Sequence, residues 1–148
     1  RTIDISSLKH LGSGDECSVY DLGSGRVIKC FKAGSWVRRE TNTTPEEVFE
    51  ANRLLAELKL APPTFEMVEW VSGESRGRGY ICAKAKTDVG SRLFLENKLN
   101  TAIGFTPVDC HRKNIGKYKG RTVLIDCGYD CRRLINAARK KLSGNSSS

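Results

Sequence analysis

Along the chain, apolar and polar positions first alternate between residues 9 and 31. Val19-Tyr20 begins the alternation, Leu22-Gly23-Ser24-Gly25 interrupts it, and Arg26-Val27-Ile28-Lys29-Cys30-Phe31 resumes it. Glycine-rich turns between such runs predict a β-hairpin. Residues 33–43 are polar, carry no period and read as a loop. From Thr44 the period becomes helical, with Val48, Ala51, Leu55 and Leu58 on one stripe. Thr44 suits the N-cap, Pro45 the first helical position, and Glu47 completes a capping box. Pro62-Pro63 ends that helix. Residues 65–71 and 79–85 read as two strands around a polar loop, and 91–101 as a helix. Residues 106–128 read as loop with a short strand at 122–125. Residues 134–142 read as a last, basic helix, and 144–148 as a frayed tail. No internal repeat is present. The pattern predicts an α+β fold: a small antiparallel sheet crossed by one helix, then a mostly helical portion.

Composition narrows the class. The chain has 148 residues, of which 39% are hydrophobic and 28% charged. That is an ordinary globular balance for one domain, or two small lobes sharing a cleft. No apolar run approaches the ~20 residues of a membrane span, so no membrane partner is expected. The formal net charge is +8, which favours anionic partners. Its cations are dispersed apart from Arg38-Arg39, Arg112-Lys113 and Arg139-Lys140-Lys141, with no aromatic residues interleaved. A nucleic-acid partner is therefore not expected. The chain opens at Arg1 without a starting Met or a signal-like apolar stretch, so it reads as trimmed from a longer chain, and the sequence leaves open whether residues before Arg1 target the protein. Cysteines stand at positions 17, 30, 82, 110, 127 and 131 without a C-x-x-C pair. Cys30 and Cys82 fall inside apolar strands, where a thiol packs as a small hydrophobe. Reduced thiols in a cytoplasmic protein, and no zinc site, are the expectation.

Three short pieces carry chemistry. Gly12-Ser13-Gly14-Asp15-Glu16-Cys17-Ser18-Val19 holds glycines that let backbone approach phosphate oxygens. Ten positions after Val19 stands Lys29, which strand alternation puts on the same face as Val27. An ammonium among Val, Ile, Cys and Phe needs a partner, since an unpaired buried charge is costly. The helix following Thr44 offers Glu50 at the edge of its apolar stripe, with Glu47 as the rival. The third piece is Asp109-Cys110-His111-Arg112-Lys113-Asn114, followed by Leu124-Ile125-Asp126-Cys127-Gly128. Asp and Asn are oxygen ligands suited to a hard divalent cation, and a carboxylate near an acceptor hydroxyl can take its proton.

In this order the pieces resemble the protein-kinase-like superfamily, whose signature runs Gly-rich loop, strand Lys, helix Glu, D-x-x-x-x-N, D-F-G. The resemblance covers roughly residues 8–130. His111 makes the segment D-x-H-x-x-N, which looks closer to the aminoglycoside and choline phosphotransferases. The resemblance implies a kinase-like fold, with an N-lobe over about 1–86 and a reduced C-lobe over about 87–148. It implies ATP and Mg²⁺ as cofactors. Gly12, Ser13 and Gly14 would cover the phosphates, and Val19 and Val27 the base. Lys29 would bind the α- and β-phosphates, held by Glu50. The residues near Cys82-Ala83-Lys84-Ala85 would form the hinge at adenine, with Ala83 and Ala85 in contact with the nucleotide, and Asn114 and Asp126 would ligate the metal. Asp109 would orient the acceptor.

There are departures. The third loop glycine is Cys17, Pro107-Val108 replaces the His-Arg before the catalytic Asp, and Cys127 stands where Phe is usual. No A-P-E follows, and only twenty residues come after Gly128. The implied activity is that of a minimal protein Ser/Thr kinase acting on a protein substrate, cytoplasmic or delivered into a host cytosol as a bacterial effector. The alternatives are a small-molecule phosphotransferase and a nucleotide-binding pseudokinase.

Overall fold

The computed structural model describes residues 1–14, 17–32, 43–108, 110–127 and 129–147. Twelve elements matter here. They are β1 (Thr2–Asp4), β2 (Lys9–Ser13), β3 (Cys17–Gly23), β4 (Arg26–Lys32), α1 (Pro45–Glu57), β5 (Thr64–Ser72) and β6 (Ser75–Ala83). They continue with β7 (Lys86–Thr87), α2 (Arg92–Ile103), β8 (Ile115–Tyr118), β9 (Arg121–Leu124) and α3 (Cys131–Ser147). The expected α+β class is what is found. The larger sheet runs β1-β5-β6-β4-β3-β2, and a smaller one runs β7-β8-β9.

Alternation along β4 explains the layering. Flanked in the sheet by β3 and β6, its interior residues are buried on both faces because an apolar cluster covers each. Ile28 and Cys30 point to a small core with Ile5, Val68, Trp70 and Ile81. Val27 and Phe31 point to the main core, which also holds Leu55 of α1, Leu95 and Leu99 of α2, Leu124 of β9 and Leu134 of α3. This apolar cluster thus runs across residues 86–87, where the sequence pattern divides. Each fully buried Leu contributes roughly 2 kcal/mol relative to exposure.

Helix α1 forms as its first turn dictates. Glu47 N–H donates to Thr44 Oγ1 (3.2 Å), and Thr44 N–H donates to Glu47 Oε1 (3.0 Å). At its other end Lys59 takes a left-handed conformation (φ +65°), and Leu60 N–H closes onto Leu55 O (2.8 Å).

Several expectations shift. The sheet is not wholly antiparallel, because β1 adds to β5 in parallel. The strand expected at 79–85 is Ser75–Ala83, and the loop before it shrinks to a tight turn with Gly73 at φ +60°. Residues 115–118 form a strand where a loop was expected. Helix α3 begins at Cys131 and continues to Ser147, so the backbone of 144–147 is helix rather than a frayed tail. The portion after residue 86 holds the three-stranded sheet besides α2 and α3. No helix among the described residues is long and apolar enough to cross a membrane.

Candidate functional site

Lys29 lies on β4 with only 4% of its surface exposed. Strand alternation aims its side chain to the same side as Val27 and Phe31, toward the β9 exit. There its Nζ donates to Ile125 O (2.7 Å) and stands 3.9 Å from Asp126 Oδ1. Burial is the largest single influence and works against the ammonium, but the Asp126 carboxylate and, after it, the neighbouring Cys82, Cys17 and Cys127 together hold the Lys29 pKa above the ordinary lysine value. The Tyr80 ring lies 5.6 Å from Nζ, and its register opposite Lys29 explains the proximity. The Tyr80 hydroxyl is buried without a hydrogen-bond partner among the described residues, and burial pushes its pKa well up.

The strand bearing Lys29 is seated by glycine on its neighbour. A Cβ on Gly79 would lie 2.3 Å from Lys29 O, and one on Gly77 would lie 2.2 Å from Phe31 O. Only glycine lets β6 come this close. Trp70 Nε1–H also donates to Phe31 O (2.7 Å).

Lys29 faces a cleft of about 310 Å³. Of the residues assigned to nucleotide contact, Gly12, Val19, Val27, Lys29, Ala83 and Ala85 line it. Ser13 and Gly14 are not among the lining residues. Gly12 and Gly14 have open space where a Cβ would stand, so packing against the described residues does not account for either glycine. Cys82 and Lys84 of the expected hinge segment line it too, and the lining also includes Leu11, Pro62, Thr87 and Ile125, which sequence reasoning did not assign to the nucleotide. Cys82 sits opposite Val27 in the β4–β6 register. The segment after β6 is fixed by Ala83 N–H to Pro63 O and Lys84 N–H to Gly25 O (both 2.8 Å). Lys84 Nζ also reaches Asp21 (2.9 Å).

Asn114 and Asp126 meet through a hairpin. Strands β8 and β9 pair Ile115 with Leu124 and Tyr118 with Arg121. The turn is Lys119-Gly120, both at positive φ (+48° and +79°), which matches the twist of a two-residue hairpin. Just beyond the paired ends, Ile125 N–H donates to Asn114 O (2.7 Å). Two residues twelve positions apart with metal-ligand chemistry are thereby held side by side. The hairpin is itself tied to the connection between α1 and β5 by Leu124 N–H to Leu60 O (2.8 Å). No group of three His, Cys, Asp or Glu residues among those described is placed to hold a metal. One carboxylate plus one amide is a set that needs further oxygens, such as those of a phosphate. Asp109 and Gly128 lie outside the described residues.

The helix carboxylates go elsewhere. Glu50 is bound by Arg53 through two hydrogen bonds (2.6 and 3.1 Å) and lies 3.6 Å from Arg139 of α3. Glu47 accepts from Arg132 of α3 (2.6 Å) while also closing the capping box. The expected Lys29–Glu50 pair is not formed, and its rival Glu47 does not replace it: the carboxylate beside Lys29 is Asp126. The reason is packing. Helix α1 lies against α3, whose arginines collect both glutamates. Arg53 first, then Arg139, holds the Glu50 pKa below the usual carboxylate range. Arg132 does the same for Glu47. Arg112 is exposed and pairs with Asp88 (3.3 Å).

All six cysteines are free thiols. Cys110 and Cys127 are buried, and burial pushes Cys110 up to about 11. They pack rather than react. Compared with known proteins, the chain matches no protein-family model and no curated sequence.

Proposed function

We propose that the chain is an ATP-dependent phosphotransferase of protein-kinase-like fold, acting on a protein hydroxyl. The observation that carries this reading is Lys29: a buried ammonium at the floor of an apolar cleft, bonded to Ile125 O and 3.9 Å from Asp126. A structural lysine would gain little from this arrangement, because ordering and burying an ammonium costs several kcal/mol before pairing. A lysine that must meet phosphate oxygens gains a fixed position from it.

The architecture supports the same reading. One helix is inserted between β4 and β5, and the order β2-β3-β4-β6-β5 sets the Lys strand at the centre of the sheet. Val19 and Val27 are suited to sandwich a base, and the backbone at Ala83 and Ala85 to meet its edge. Gly12 and its loop leave room for phosphates, and Lys29 would neutralise two of their oxygens. Asn114 and Asp126 would hold Mg²⁺, which when bound supplies charge neutralisation of the phosphates. Asp109, by its place in the sequence, would accept the proton of the acceptor hydroxyl. That hydroxyl oxygen bonds to the γ-phosphorus as the bond to the leaving ADP oxygen breaks. The volume of the cleft suits the buried part of a nucleotide. Cytoplasmic action follows from the use of ATP and the free thiols.

A second reading is a nucleotide-binding pseudokinase. It is favoured by the engagement of Glu47 and Glu50 with arginines rather than with Lys29.

The test is incubation with γ-labelled ATP and Mg²⁺, alone and with a cell lysate, beside Asp109→Ala and Asp126→Ala. Label on a discrete protein, lost in both variants, is expected. ATP raising the melting temperature without turnover would select the pseudokinase. ATP consumption without labelled protein would select a small-molecule acceptor. No effect of ATP on melting or turnover would overturn the assignment.

A further inference from the structure

We propose that the groove between α2 and α3 is a docking site for an extended acidic polypeptide segment. This does not rest on the phosphotransferase reading. Between residues 131 and 148 the chain has no Asp or Glu, while it carries Arg132, Arg133, Arg139, Lys140 and Lys141. Two of these are engaged on one side of α3, where Arg132 meets Glu47 and Arg139 meets Glu50. The other three turn to the opposite side and line a groove of about 970 Å³, whose lining holds no carboxylate. Among the described residues no carboxylate pairs with Arg133, Lys140 or Lys141. One helix therefore separates its cations into a row paired with α1 carboxylates, which lines a smaller groove of about 420 Å³ with Glu46, Glu47 and Glu50, and a second row that lines the larger groove with no carboxylate beside it.

The groove is shaped as well as charged. Its floor is apolar, from Ile103 at the end of α2 and Ala137 of α3, with Phe105 just after α2 beneath Arg133. The Arg133 guanidinium lies 3.8 Å from the centre of the Phe105 ring. Stacking fixes the guanidinium plane while leaving its N–H fork available to an anion. Arg133 and Lys140 are seven residues apart, roughly 10 Å along the helix. A chain extended in the polyproline II conformation covers that span in about three residues and returns every third side chain to the same side. The occupant is thus a segment with carboxylates about three positions apart and a bulky apolar side chain between them for the floor. A nucleic-acid strand fits less well, because the Phe105 face is already covered by Arg133 and offers no stacking platform. The charge complementarity is with carboxylates borne on an apolar-containing peptide.

The test uses a fluorescein-labelled peptide of about ten residues with Glu at three-residue spacing and one Leu between. Binding is followed by anisotropy at two salt concentrations, with a single-stranded oligonucleotide as competitor. The triple variant Arg133→Glu/Lys140→Glu/Lys141→Glu alters only exposed side chains, and Asn136→Trp fills the groove without changing charge. Salt-sensitive binding, weakened on the order of tenfold by either variant, is expected. Absence of peptide binding, equal affinity in wild type and both variants, or displacement of the peptide by far lower oligonucleotide concentrations would each overturn the proposal.

Discussion

Lys29 and Arg132 both face carboxylates, and they do so in opposite surroundings. Lys29 is enclosed between β4 and the β9 exit, with a carbonyl at 2.7 Å and Asp126 at 3.9 Å. Arg132 stands in solvent and reaches Glu47 at 2.6 Å. The closer pair is the weaker one. Water screens the α1–α3 contact, so it contributes about 0–1 kcal/mol, while the longer contact at Lys29 decides whether a buried charge is tolerated at all. Distance alone misranks them. The exposed pairs hold α1 against α3, and the enclosed one fixes a charge in a cleft.

The contrast breaks most severely at Gly79. A side chain there would collide with Lys29 O, so Gly79→Val should destabilise the fold by about 3 kcal/mol or more. Chemical denaturation measures this, and a loss under 1 kcal/mol would mean that β6 can shift away from β4. Next, Lys29→Met and Asp126→Ala separate charge from shape. Removing Asp126 leaves the ammonium with a carbonyl alone and should cost about 1–3 kcal/mol. Lys29→Met removes the buried charge and should leave stability within about 1 kcal/mol of wild type, while abolishing the shift of the melting curve by ATP. Equal destabilisation by both would show that the pair, rather than the lone charge, matters.

The exposed side of the comparison is tested by pH. Arg132 holds the Glu47 pKa below its ordinary 4.5. A depressed carboxylate contributes stability that is present above the unfolded value and is lost as pH falls through the folded one. The melting-temperature gap between wild type and Glu47→Gln should therefore be open at neutral pH and close below pH 4 or so. A gap unchanged with pH would assign the effect to the capping box alone. The smallest expected effect is a gain. Lys59 is exposed and left-handed, so Lys59→Gly should stabilise by up to about 1 kcal/mol, read as a small rise in melting temperature.

What the sequence disclosed follows the range of the interactions. Helix α1 was legible because Thr44, Pro45 and Glu47 write its start within four residues. Strand β4 was legible because its apolar run is continuous. Strand β1 was not: three residues gain their order only by pairing with Glu69, Trp70 and Val71. Strand β8 was hidden by Gly116 and Lys117, which break its apolar run, and the turn at Lys119 uses a residue not suited by type to positive φ. Val27 and Lys29 were legible as sharing one face because strand alternation is local, while Gly12, Val19 and the hinge residues came from the resemblance. The partner of Lys29 was not legible, because helix phase gives the direction of Glu50 but not what stands opposite. That is set by Arg132 and Arg139, more than eighty residues further on.

The oxygen that receives Lys29 belongs to a residue 96 positions downstream. During synthesis the larger sheet can therefore be complete in sequence while its central lysine still has nothing to bond. A ribosome-bound chain ending before Ile125 carries that ammonium in a half-built interior, which favours a frayed or rehydrated β4. Arrival of the β8–β9 hairpin resolves this in one event, delivering Ile125, Asn114 and Asp126 together. The cleft is in this sense a late product of chain elongation, and its closure coincides with the commitment of the whole molecule to fold.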